Sequence, residues 1–145
     1  MAFMTSMDIN ASALTAGRVW MDVIAENLAN ATVTRTADGA PYRRKFVTLQ
    51  SNATSFDTLF NQSKVRLNGG GISVSRIQED MSEFKLVYDP QHPDADGDGY
   101  VRMPNVDTTK EMIDMIAATR AYEANITALN ATKAMAVKAL EIGRG

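Results

Sequence analysis

Asp94, Asp96 and Asp98 alternate in "PDADGDGY", residues 93–100, and Gly99 follows them. Carboxylates at positions 1, 3 and 5 and a glycine at position 6 open the D-x-D-x-D-G start of a calcium loop, whose ion needs six to eight oxygens. Position 12, where an EF-hand places a bidentate Glu, falls on Asn105. One uncharged amide oxygen leaves that shell short. The flanks also argue against an EF-hand. Pro90 and Pro93 push Asp89 and His92 away from helical geometry, and Pro104 does the same to Met103. Asp and Gly are equally the residues of tight turns. A turn-rich connection is therefore the leading reading of 94–105, and a calcium-regulated binding module is the alternative.

Other chemistry is sparse. His92 is the only histidine, and no nucleophile or orienting carboxylate can be placed around it, so no catalytic residue is expected. The absence of cysteine removes disulfides and thiolate sites together. No cofactor loop stands out, and no metal ligand is expected. Lys+Arg 15 against Asp+Glu 17 gives a net charge of −2, which carries no footprint for nucleic acid or an anionic membrane. The basic cluster "YRRK" at 42–45 reads as a solvated strand face. No stretch is long and apolar enough for membrane insertion, and "MAFMTSMDINASALTAG" lacks the charged and apolar regions of a Sec-type signal. The N-x-S/T triplets, such as Asn125-Ile126-Thr127, read as accidents of composition.

Two elements must position whatever these residues do. In the N-terminal part, residues 1–32, Met7, Leu14, Met21 and Leu28 recur every seven residues, with Ile24, Ala11 and Ala25 beside them. Ser6 or Asp8 can cap this helix and Asn30 can end it in a left-handed conformation. Gly17 is its weak point. In the C-terminal part, residues 107–145, Met112, Met115, Thr119, Tyr122, Ile126, Leu129, Lys133, Ala136 and Leu140 follow alternating steps of three and four. Lys133 is the one charged exception. Asp107 or Thr108 caps the helix, Glu111 completes a capping box with Thr108, and Gly143 stops it. Ile113, Ile116, Val137 and alanines at 117, 118, 121, 128, 131 and 134 widen the apolar stripe.

The central segment, 33–106, loses the helical period. "ADGAPYRRKFVTL" supplies a DG turn and then a strand, "GGGISVSRI" a second strand and "FKLVYDP" its partner. The polar, glycine-ended run over 51–71 reads as a loop. The expected class is α+β: two long terminal helices, a small β-hairpin-rich centre and extended loops. A helix over 108–142 would be about 52 Å long, whereas a compact globule of this length is about 38 Å across. Its apolar stripe must then be covered from outside the chain. That describes either a two-helix hairpin that dimerises or a subunit surrounded by copies and relatives. Trp20 lies off the heptad face and packs on the other helix or on an adjacent subunit. Asn27 and Asn30, at the end of the first helix, read chiefly as a C-cap.

"ENLANATVTRT", residues 26–36, resembles the N-terminal signature of the bacterial flagellar rod and hook family, carried here by Asn27, Leu28, Ala29, Asn30, Ala31 and Thr32. "MDINASALTAGRVWMDVIAENLANA", "DGAPYRRK" and "HPDADGDGYVRMPNVD" running into "EMIDMIAATRAYEANITALNATKAM" bring the resemblance closest to the proximal-rod members. Residues 51–68 lie outside it, the glycines at 69–71 are not carried over, and the leader "MAFMT" departs from the pattern. The resemblance implies a structural subunit of the proximal rod that joins copies of itself and other rod proteins in a helical tube, the shaft that transmits motor torque. It implies export through the flagellar type III apparatus and assembly in the periplasm. It also implies that 1–32 and 107–145 pair as a coiled coil outside which the central segment lies. The seam would then comprise Met7, Leu14, Met21, Ile24, Leu28, Met112, Met115, Tyr122, Ile126, Leu129, Ala136 and Leu140. In such a protein the PDADGDGYVRMPNV block is an extended path into the C-terminal helix, with no ion.

Overall fold

The computed structural model describes residues 2–52 and 70–143, so most of the loop expected over 51–71 lies outside the described residues. Helix α1 spans Ala2–Ala29 and helix α2 spans Thr108–Ile142. Between them lie β1 (Lys45–Ser51), β2 (Ile72–Glu79), β3 (Lys85–Tyr88) and β4 (Tyr100–Met103). This is an α+β chain with two small antiparallel hairpins.

Strand pairing differs from the sequence expectation. β2 pairs with β1, not with the "FKLVYDP" strand. The ladder is bracketed by Asn52 N–H donating to the Gly71 carbonyl (2.8 Å) and Asp80 N–H donating to the Arg44 carbonyl (2.7 Å). β3 pairs instead with β4, in the register Lys85↔Met103 to Tyr88↔Tyr100. The partner strand sits inside the turn-rich block, where four residues between glycines and a proline give too short an alternation to be read.

The helix ends also need correction. α1 already begins at Ala2, so Ser6 and Asp8 lie within it and cannot cap its start. At its other end Asn30 is not left-handed. It donates from N–H (3.1 Å) and from Nδ2 (2.8 Å) to the Glu26 carbonyl, a side-chain closure of the last turn. In α2 the cap is Asp107, whose Oδ1 accepts from the amides of Thr109 (3.0 Å) and Lys110 (3.3 Å). With Asp107 as the cap, the capping-box position falls on Lys110, and Glu111 is free for another task.

The chain divides into two compact units, each drawing on both helices. One contains 20–48 and 76–117, with Val23, Ile24, Tyr42, Val101 and Val106 as its apolar core. Two of its tight turns use glycine at positive φ, Gly39 at 77° and Gly99 at 80°. Thr36 and Ala40 close the first, the expected DG turn. Gly99 is doubly constrained, because a Cβ there would come within 3.0 Å of the Tyr88 ring and 3.2 Å of Pro90.

The other unit contains the N-terminal part of α1 and α2 from Ala118 onward. Ala16, Ala118 and Thr132 are buried there. A Cβ on Gly17 would rest 3.6 Å from the Tyr122 ring, an ordinary contact. A Cβ on Gly71 would strike Ser12 Oγ at 2.7 Å, and that hydroxyl accepts from the Ile72 amide (3.1 Å). Here α2 turns inward along Ala118, Tyr122, Asn125, Leu129, Thr132 and Ala136, again in steps of four and three. Thr119, Ile126, Lys133 and Leu140 face out, so the charged exception at Lys133 is solvated. Small residues at 118 and 132 allow the closer approach.

Candidate functional site

The Asp94–Asn105 loop is built as a turn. Asp89 N–H donates to the Gly99 carbonyl (3.0 Å), Asp96 N–H to the Tyr100 carbonyl (2.8 Å) and Gly99 N–H to the Asp96 carbonyl (2.9 Å). Asp94 Oδ2 accepts from the Thr34 hydroxyl (2.8 Å), and its Oδ1 stands 3.8 Å from Arg35. Asn105, the residue at the twelfth calcium position, is already engaged: its Oδ1 accepts from the Arg44 amide (2.8 Å). Its Nδ2 donates to the Asp80 carbonyl (2.9 Å) and Ser82 Oγ (2.8 Å). Among the described residues no cluster of three or more His, Cys, Asp or Glu side chains is placed to hold a metal ion.

The densest polar arrangement lies where the end of α1 meets the segment entering β1 and the first turn of α2. Asn27 is 1% exposed and makes four hydrogen bonds. Its Nδ2 donates to the Lys45 carbonyl (2.8 Å) and to Glu111 Oε2 (3.0 Å). Its Oδ1 accepts from the Tyr42 hydroxyl (3.0 Å) and the Lys45 amide (2.9 Å). Glu111 has no exposed surface, and its other oxygen takes Arg44 Nε at 2.6 Å. The Arg44 guanidinium also stands 3.8 Å from Asp114, and Lys45 Nζ meets Glu26 at 2.6 Å. Asn27 is thus saturated and each oxygen of Glu111 has a partner, which is the condition under which buried polar groups are tolerated.

Around this hub Arg43 donates to the carbonyls of Asp80 and Ser82 (3.2 Å each) and stacks 4.3 Å over the Phe84 ring. The Ser82 amide and hydroxyl hold the Asp80 carboxyl below its usual range, with Arg44 and Lys110 adding to the effect. Burial pushes the Tyr42 phenol up to about 12, helped by the carboxylates of Glu26, Glu111 and Glu79.

"YRRK" is therefore not a solvated strand face: Tyr42 is buried, and both arginines are tied to backbone or carboxylate. Asn27 is not a C-cap; only Asn30 of the pair acts at the helix end. Glu111 and Arg44 escaped the sequence reading. A faint signal for the hub exists in the spacing, since Asn27 continues the row Ala16, Trp20, Val23, and Glu111 precedes Met115 and Ala118 in the inward row of α2. A polar residue on such a row must find a partner.

The residues expected on the seam are placed as follows. Ile24 is buried, Met7, Leu14, Met21, Met115, Tyr122, Leu129 and Ala136 are half-buried, and Leu28, Met112, Ile126 and Leu140 are exposed. Trp20 is half-buried. In the motif segment Leu28, Ala29 and Thr32 are exposed, while Asn30 and Ala31 are half-buried. Ile113, Ile116, Met135, Val137 and Ile142 add to the exposed apolar side chains of α2. No helix among the described residues is long and apolar enough to cross a membrane.

The family described as flagellar basal body rod FlgEFG protein C-terminal matches residues 98–142. The flagellar basal-body rod protein FlgC of Bacillus subtilis is 53% identical over 145 residues, which cover 96% of this chain and 97% of that protein. FlgC of Borreliella burgdorferi is 40% identical with both chains covered completely. FlgC of Escherichia coli O6:H1 is 42% identical over 99% of this chain and all of that one. Full-length similarity of this kind defines a structural protein of the flagellar basal body, not an enzyme. The chain belongs to the family of the flagellar basal-body rod protein FlgC.

Proposed function

We propose that this chain is a building block of the proximal rod, packing with copies of itself and with other rod proteins into the helical tube that transmits motor torque. The observation that carries this reading is the outer face of α2. The helix has 35 residues, about 52 Å at 1.5 Å per residue, and it exposes Met112, Ile113, Ile116, Ile126, Met135, Val137 and Leu140. So many large apolar side chains left exposed along one helix mark an interface. Alanines 117, 121, 128, 131 and 134 on the exposed side let a neighbouring backbone come close. On this reading 1–32 and 107–145 pair as a coiled-coil rod domain, with the seam given above completed by neighbouring subunits, and 33–106 forms the central segment. The chain travels through the type III export apparatus and assembles in the periplasm.

Ile116→Asp and Ile126→Asp test the reading. Both positions are exposed in the single chain, so folding should change by only about 0.5 kcal/mol, as for ordinary surface substitutions. In the rod each aspartate would meet an apolar neighbour and lose its hydration. The expected result is normal export of the variants into the periplasm with no rods in isolated basal bodies. Glu123→Gln, on the same helix, should leave motility unchanged. Wild-type rods with both aspartates present would refute the packing.

A further inference from the structure

The four bonds on Asn27 join separate stretches of chain. Tyr42 and Lys45 lead into β1, while Glu111 lies in the first turns of α2. Asn27 and Glu111 are fully enclosed, and among the described residues no buried side-chain nitrogen or oxygen lacks a partner. Such a cluster is intolerant of partial assembly. With one stretch displaced, a buried amide or carboxylate is left without a partner, and Glu111 without Arg44 is a bare buried charge. An apolar cluster of similar volume would hold the same stretches and would tolerate a slip by one residue. The polar cluster admits one register.

We propose that Asn27, Arg44 and Glu111 form a conformational lock that closes within the single chain. The end of α1, the segment 42–48 and the first turns of α2 become ordered in one all-or-none step and in one register. The role of the lock rests on the rod reading: a subunit whose α2 start is fixed in register offers its outer face to neighbours in one form. The lock itself is a property of the chain alone.

Amide hydrogen exchange on the purified full-length chain tests it. Segments 20–29, 42–48 and 108–117 should open together, and Asn27→Ala should lower protection in all three by a common factor of roughly tenfold or more. If that variant does not fold, Tyr42→Phe, which deletes only the hydroxyl bond to Asn27, should lower all three together by a smaller common factor. Loss confined to 20–29, unequal factors in the three segments, or no protection of them in the unsubstituted chain would each overturn the lock. Exchange is read without any assembly, so a lock that behaves as expected beside intact rods in Ile116→Asp and Ile126→Asp would reject the rod reading alone.

Discussion

Glu111 is held by Arg44 at 2.6 Å with none of its own surface exposed, whereas the Arg44 side chain keeps 20% of its surface. This asymmetry ranks the substitutions. Arg44→Met leaves a buried carboxylate with only the Asn27 amide, and breaking a buried pair in this way costs roughly 3–5 kcal/mol. Arg44→Met with Glu111→Leu removes both charges and should recover a large part of that loss, because the attraction in a buried pair little more than offsets its desolvation. Urea unfolding of the two variants measures the difference. A double variant no more stable than Arg44→Met would show that the pair is not coupled. None of this was legible in "YRRK" or in "TTKEM". A local run of charges says nothing of a partner 67 residues away, and the low cost of solvating a surface arginine made that the cheaper reading.

At the scale of elements, the helices were legible and the strand partners were not. Both helices follow from periodic spacing because a helix is specified locally, while alternation in "GGGISVSRI" or "FKLVYDP" marks a strand without naming its neighbour. The inward row of α2 likewise keeps the expected period and shifts at alternate positions, since period follows from sequence and facing follows from what fits. Two glycines show what tertiary setting adds. Gly17→Ala should stabilise the chain by up to about 1 kcal/mol, because the helix gains propensity and the new methyl has room beside Tyr122. Gly99→Ala should cost more than about 1 kcal/mol, since its φ of 80° is left-handed and the methyl would press on Tyr88. Thermal melts of both give the opposite signs directly. Destabilisation by Gly17→Ala would show the α1–Tyr122 approach to be tighter than described.

For the whole molecule, the buried phenol of Tyr42 sets an alkaline limit. Its folded pKa is raised to about 12 from an ordinary 10.0. The folded chain therefore retains a proton that the unfolded chain gives up sooner. That contribution to stability is complete below about pH 10 and is lost as the pH rises toward about 12. Denaturant titrations across this window should show stability falling with pH, and Tyr42→Phe should flatten the slope while lowering stability at neutral pH. An unchanged slope in Tyr42→Phe would place the alkaline transition on another group.

Asn27 and Glu111 lie 84 residues apart in the chain. A chain that emerges amino end first must therefore deliver most of its length before the two can meet. Until then α1 carries an asparagine with no carboxylate to bind, and the entropy of closing so long a loop is still unmet. Nothing in the early part of the chain can complete the native arrangement by itself. Timing is thus written into sequence separation: this cluster sets only once the first residues of the last quarter have emerged.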